Sequence, residues 1–596
     1  MKLTKKLWHF FSNMGFMGKY SWDLAKSKYF FMITQAVLST VQPFALLIIP
    51  KYILDELAGA RRADVTLRYI GIYAAVIAFF NIASLLLTRY GSIQTIKIEH
   101  RDQMLKQKKW LHMDYGNFEN GQVRELAGRS CGQINAIGFA ENTVLGFVTN
   151  FVQLCGYTYI IMSLHPVIIL FILAVIGLNT LITKKANKIG YEYQPIITRF
   201  QRRFSYIFRT MVDFGVGKDV RINGASEWLR KRYASETDEY IKNYKLNQEK
   251  HFRLDVLGQI ISLVQTVVLY GYCGYLAISD GISIGSFTVF LGAITAFSGS
   301  FTDFIGRFAG LSLLSKYVDD FKEFLRLSEH EGTANEAVRA SDLPMDSGDI
   351  EFCDVSFMYP NTDRYVLRHV NIKIKSGERL SVVGYNGAGK STFIKLICRL
   401  YEPTEGKITM NGVDISTINL ADYRERIAVV FQDFQLFWLS VRDNVVMNRE
   451  YDEERAKTAL EESGVWEKIE GLEEGIDTEL GRVFDYDGRE FSGGEGQKIA
   501  IARAIYRSAP IVVFDEPTSA LDPIAEYDIY RNFHDLAEKR TAIYISHRLS
   551  STRFTDHTAV FANRTIAEYG THEELMKIDG GVYKELFEMQ AQYYQE

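Results

Sequence analysis

The sequence is poor in proline and cysteine and has no excess of either charge. Ten prolines in 596 residues leave room for long unbroken helices, because an interior proline removes a backbone hydrogen bond. The five cysteines (Cys131, Cys155, Cys273, Cys353 and Cys398) are scattered and lack CxxC spacing. They give no sign of a disulfide framework or a zinc site. A formal net charge of −4 gives no global reason to expect nucleic acid as a partner. The opening MKLTKKLWHFF is too weakly apolar for a cleaved signal peptide. It reads as a basic amphipathic elbow helix lying on a membrane surface.

What the chain does have is asymmetry. Up to about residue 326 it holds long apolar runs, and beyond that it is an ordinary soluble mixture, so at least two domains are expected. Six segments, at about 29–54, 67–90, 139–163, 166–187, 254–278 and 284–306, are long enough to span a bilayer, which takes about 20 residues each. Pro43 and Gly71 sit inside such segments, which lipid-embedded helices tolerate. Lys and Arg crowd the two long connections, as at Lys106, Lys108, Lys109, Arg202, Arg203 and Arg230 to Arg232. The positive-inside rule puts those connections and both termini in the cytoplasm. Each connection is helix-compatible with breakers near its middle, at MDYGNFENG and FGVGKDVRINGAS. Antiparallel helices of about 25 residues would carry these tips about 35 Å beyond the bilayer.

Residues 327–348 are polar and read as a linker, and 349–596 alternate strand and helix as an α/β layer domain does. Within it, SVVGYNGAGKSTFIKLI runs from an apolar strand through a glycine loop into a helix. Gly384, Gly387 and Gly389 let backbone N–H groups face a polyphosphate. Lys390 should reach the β- and γ-phosphates, and Ser391 should ligate Mg²⁺. Further on, IVVFDEPTSALD is a buried strand ending in Asp515, placed to hold Mg²⁺ through water, and Glu516, placed to polarise an attacking water. Between them Ser492, Gly493 and Gly494 open a second helix whose N-terminus can receive phosphate.

In this combination the chain resembles the ATP-binding cassette family, specifically a bacterial multidrug- or peptide-exporter-like half-transporter. The implied fold is an α-helical membrane domain (1–326) with six transmembrane helices and long cytoplasmic extensions, fused to an α/β P-loop NTPase cassette (349–596) and working as a dimer. The resemblance implies ATP and Mg²⁺ as cofactors, bound by the loop residues Gly384, Asn386, Gly387, Ala388, Gly389, Lys390, Ser391 and Thr392. It makes Tyr359 the aromatic that stacks on adenine and Gln432 a Mg²⁺ ligand beside Ser391 and Asp515. Glu516, His547 and Lys390 would carry catalysis. Ser492, Gly493, Gly494 and Glu495 would contact ATP held by a partner cassette, and Asp522 would communicate across that dimer. The tips near 113–122 and 214–225 resemble coupling helices. The signature reads FSGGE where the family usually has LSGGQ, so the Glu495 carboxylate should mildly oppose a nearby anion. The run GRVFDYDGRE carries Arg482 in place of an expected glutamate.

The implied function is ATP-driven export by alternating access through a bacterial plasma membrane, with a second half-transporter and the lipid bilayer as partners. The cargo is a peptide, a drug-like molecule or an amphipathic lipid. The alternatives are a subunit of a heterodimer, an exporter-fold importer, or an ATP-binding regulatory subunit. Polar residues inside the spans, among them Gln35, Asn150, Gln153, Asn179 and Gln265, are expected mainly to bond between helices. Asp303 and Arg307 stand four apart near the end of the sixth span and are the candidate cavity residues.

Overall fold

The computed structural model describes residues 2–132, 134–163, 167–279, 281–329, 348–482, 488–516, 540–546 and 549–592. It divides into two compact units: residues 1–106 with 126–324, and residues 107–125 with 325–596. The second unit thus combines the cassette with the first of the two expected tips.

Helices α1 (Lys2–Ala58) and α2 (Ala63–His112) are followed by α3 (Tyr115–Glu119), α4 (Gly121–Cys131) and α5 (Ala136–Gly138). Then come α6 (Gly146–Met162), α7 (Val167–Val212), α8 (Phe214–Ile222), α9 (Ser226–Ile278) and α10 (Ile284–Arg326). The first unit is built from these helices, except α3, the adjoining ends of α2 and α4 and the end of α10, which belong to the second unit. Among the described residues six helical stretches are long and apolar enough to cross a membrane, as the hydropathy pattern requires. The elbow expected at the N-terminus is not a separate helix: α1 runs unbroken through it into the first span, past Pro43 and Pro50. The third span differs as well. It opens with a π-helical segment, Phe139–Leu145, before regular helix resumes at Gly146.

Leu154, Tyr157, Ile172, Leu269, Cys273, Ile294 and Phe297 form a core where α6, α7, α9 and α10 converge. Polar residues join helices as expected for groups removed from water. Gln35 donates to Ser84 Oγ at 2.9 Å, Gln153 to the Ser39 carbonyl at 3.0 Å and Gln265 to Ser298 Oγ at 3.0 Å. The break at Asn223 and Gly224, with Gly224 at φ +58°, turns the chain between α8 and α9.

The cassette has two sheets. An antiparallel one runs in the order β2-β1-β4-β5, from β1 (Ile350–Met358), β2 (Tyr365–Ile374), β4 (Glu405–Met410) and β5 (Val413–Asp414). The other runs β10-β9-β3-β8-β7-β6. Its strands are β3 (Arg379–Gly384), β6 (Ile427–Val430), β7 (Ile511–Asp515), β8 (Thr541–Ile545), β9 (His557–Ala562) and β10 (Thr565–Gly570). Strands β6, β7, β8, β3 and β9 are parallel. Five buried residues in a row on β7 and on β8 fit a sheet covered on both faces. Helix α11 (Lys390–Ile397) follows β3, and α12 (Leu420–Glu425) precedes β6. A helical lobe of α13 (Val441–Val446), α14 (Glu453–Glu462), α15 (Trp466–Glu470) and α16 (Gly493–Arg507) packs around Val445, Leu460, Ile469 and Ile499.

Candidate nucleotide site

Strand register assembles the site. Val382 of β3 pairs with Ile545 of β8, and Ile545 pairs with Asp515 of β7. The glycine loop after β3 and the carboxylates closing β7 therefore leave the same C-terminal sheet edge, where open parallel sheets bind ligands. Gly384 lies at φ +142° and Gly389 at φ +106°. A Cβ at the first would strike the Phe561 carbonyl and at the second the Leu367 side chain, so only glycine fits either place.

Lys390 begins α11, is buried, and donates from Nζ to the carbonyls of Gly384 at 2.7 Å and Tyr385 at 3.1 Å. Burial lowers its pKa, while Glu516 and Asp515 pull it back up. Asp515 is 7 % exposed, and its Oδ1 has no hydrogen-bond partner among the described residues. Burial pushes its pKa up to about 6, with Glu516 and Asp433 adding to the shift and Lys390 opposing it. A buried carboxylate with a free oxygen, next to two further carboxylates, is a site short of positive charge. Among the described residues no three His, Cys, Asp or Glu gather as metal ligands. Ser391, Gln432 and Asp515 instead suit a hard cation that keeps waters and shares phosphate oxygens.

Glu516 has a left-handed backbone, φ +49°, a conformation that costs about 1–3 kcal/mol outside glycine. Its N–H donates to the Ile545 carbonyl at 3.0 Å, its Oε2 accepts from Gln432 Nε2 at 2.9 Å, and its carbonyl accepts from Gln497 at 3.4 Å. The carboxylate is therefore aimed by its own backbone and held by the expected cation ligand.

The signature serine caps α16. Ser492 Oγ accepts from the Glu495 N–H at 3.3 Å, and Glu495 Oε2 accepts from the Ser492 N–H at 2.8 Å, a closed capping box. Lys468 of α15 approaches Glu495 Oε1 at 3.6 Å. The Ser492 amide, followed by Lys468, holds the Glu495 carboxyl below its usual range despite partial burial. The carboxylate expected to oppose a nearby anion is thus spent on the cap and on a lysine.

Tyr359 packs edge-on against Phe357 and Tyr401, with ring centroids 5.0 and 5.3 Å away, and its hydroxyl meets Thr392 Oγ1 at 2.9 Å. Sequence reasoning missed what lies beside it. Glu119 of α3 bonds the Tyr401 hydroxyl and sits 3.2 Å from Lys395 of α11. Lys395 Nζ in turn lies within 5.6–5.7 Å of the Tyr115, Tyr359 and Tyr401 rings. Burial works against the Glu119 charge, but Tyr401, Tyr115 and Lys395 outweigh it and keep the carboxyl below its usual range. Burial and Glu119 push the Tyr115 hydroxyl up to about 12. One carboxylate from the tip thus touches the helix that carries the glycine loop. Arg482 is described, but Asp522, His547 and the middle of the GRVFDYDGRE run lie outside the described residues.

Comparison with known proteins agrees with this geometry. The ABC transporter family profile matches residues 367–519. The chain is 26 % identical over 566 residues to the subtilin transport ATP-binding protein SpaT of Bacillus subtilis, covering 94 % of this chain and 91 % of that one. It is 39 % identical over 246 residues to the ATP-dependent lipid A-core flippase of Escherichia coli K12, covering 41 % of each chain. Among solved structures, a bacterial Atm1-family ABC exporter with ATP bound superposes with a TM-score of 0.75 at 22 % identity, over 95 % of this chain and 98 % of that one. Residues 367–519 thus carry an ABC transporter domain, preceded among the described residues by six helices long and apolar enough to cross a membrane, and the chain as a whole shares the fold of an ABC exporter.

Proposed function

We propose that two such chains form an exporter in which ATP clamps the cassettes together and its hydrolysis releases them. The observation that carries this reading is the edge shared by the glycine loop, Asp515 and Glu516, with Gln432 bridging to the carboxylate. Lys390 and the loop amides bind the phosphates, and Ser391, Gln432 and water-linked Asp515 hold Mg²⁺. When bound there, Mg²⁺ would supply charge stabilisation at the γ-phosphate oxygens. Glu516 polarises the attacking water and His547 contacts the γ-phosphate. Tyr359 stacks on adenine. Ser492, Gly493, Gly494 and Glu495 close over the nucleotide of the partner, and Asp522 communicates across that dimer. Removing the γ-phosphate contacts reopens the pair. The tips around α3 and α8 pass the movement to the spans, and the cavity alternates its exposure. Cassettes and termini face the cytoplasm of a bacterial cell.

The cargo read as best supported is a peptide, because similarity to the subtilin transporter runs the length of the chain while that to the lipid A-core flippase covers two fifths of it. The test is Glu516→Gln in proteoliposomes. Hydrolysis is expected to fall at least about 100-fold with ATP binding retained. Turnover near the wild-type rate would remove the base from the account.

A further inference from the structure

A phosphate loop binds tightly only when its backbone is held before the ligand arrives, because ordering it on binding costs affinity. Here the two ends of the glycine loop are fixed, Gly384 against the Phe561 carbonyl and Gly389 against the Leu367 side chain. The middle, Tyr385, Asn386 and Gly387, is exposed. Tyr385 nevertheless shapes the site, since its carbonyl and that of Gly384 take the Lys390 ammonium. A shift of Tyr385 would carry that ammonium with it.

The Tyr385 side chain leads away from the loop. Its hydroxyl donates to Glu585 Oε2 at 3.2 Å, across 200 positions of sequence. Glu585 belongs to α17 (Val582–Gln592), a helix to which the proposed function gives no task. That helix is built as a firm support. Glu568 of β10 closes its first turn, accepting from the Val582 N–H at 2.6 Å and from the Tyr583 N–H at 3.0 Å, and a carboxylate there also suits the helix dipole. Tyr583 is fully buried, and its hydroxyl meets Thr552 Oγ1 and His572 Nδ1, each at 2.7 Å. It shares one apolar cluster with Val383, Val560 and Leu575, against which Leu586 and Phe587 pack. Val383 immediately precedes Gly384. The helix therefore grips the root of the glycine loop by apolar packing and the exposed middle through Glu585. A helix that only covered the sheet would need the packing, but no carboxylate on the phosphate loop.

We infer that α17 is a positioning element of the ATPase: Glu585, on a helix locked by Glu568 and Tyr583, holds Tyr385 where its carbonyl aims Lys390 at the phosphates. The inference rests on Lys390 binding phosphate, as proposed above, and adds Tyr385 and Glu585 to the residues that set ATP affinity. Both act through Lys390.

The test is steady-state ATP hydrolysis by the full-length particle in lipid nanodiscs, with KM and kcat resolved. Y385F and E585A are each expected to raise the KM for ATP about fourfold, the loss of one exposed hydrogen bond, with kcat within about twofold of the wild type. E585Q keeps an acceptor oxygen and is expected to hold KM within about twofold of the wild type. The double variant Y385F/E585A is expected to be no worse than either single one, because both remove the same bond. Unchanged KM in both single variants, effects that multiply in the double variant, or an E585Q as impaired as E585A would each overturn the role. So would a fall in kcat at constant KM, which marks a loss of intact cassette and not of aim. Tyr385 and Glu585 are both exposed, so these substitutions leave the core untouched. Equilibrium ATP binding by K390A is measured beside them. Loss of binding in K390A with Y385F and E585A unaffected overturns the part given to α17 alone. Unaltered binding in K390A overturns the phosphate reading of Lys390, and this inference with it.

Discussion

Glu495 and Lys468 show how a single replaced side chain is accommodated. A carboxylate at the mouth of a helix expected to receive phosphate should repel that ligand, yet here one oxygen caps the Ser492 amide and the other faces a lysine. The pair is partly exposed and is worth about 0–1 kcal/mol. Lys468→Ala is therefore expected to raise the KM for ATP about two- to fivefold, and to do nothing further in an E495Q background. Steady-state ATPase assays on the four proteins of this cycle give the answer. Equal effects of Lys468→Ala with and without the carboxylate would show that the lysine acts by another route. Glu516 makes the complementary point. Its left-handed backbone is a cost accepted at a position where the strand must end and the carboxylate must turn toward the sheet edge.

At the scale of elements, α3 is joined to α11 by Glu119, Tyr401 and Lys395. Tyr401→Phe removes a hydroxyl that bonds the partly exposed Glu119 carboxylate, a loss of about 1–2 kcal/mol, since solvent weakens a hydrogen bond to a charged group there. Amide exchange across 113–121 is expected to quicken about 5- to 30-fold, as measured by hydrogen–deuterium exchange of the full particle, with the β7 amides unchanged. Unaltered exchange in that segment would deny the contact its part. The cluster also shows where sequence reading stops. Glu119 reaches Lys395 and Tyr401 across 276 and 282 positions, and no local pattern marks such a meeting. The glycine loop and the Asp515–Glu516 pair were legible because each is a contiguous motif whose strand and helix lie beside it. The six spans were legible for a similar reason, as apolar length is a local property. The π-helical start of the third span was not, because Phe139–Leu145 differs from regular helix by tertiary contacts, among them the pair of Glu141 with Lys28. The continuity of α1 was hidden too: a basic amphipathic opening suggests a separate surface helix, but no proline interrupts the chain before Pro43.

At the scale of the whole molecule, the proposed function requires two chains, because on that reading the capped end of α16 would serve a nucleotide that its own glycine loop does not hold. The central claim is that ATP brings two cassettes together, and a distance measurement between them tests it most directly. Thr458 of α14 is exposed and offers a labelling position away from the site. A spin label at Thr458→Cys, in an E516Q protein with its native cysteines replaced, is measured by double electron–electron resonance in nanodiscs. With ATP and Mg²⁺ the expected result is one narrow, short inter-cassette distance, and without nucleotide a broad, longer distribution. The same distribution in both conditions, or no inter-cassette distance in either, would contradict the account.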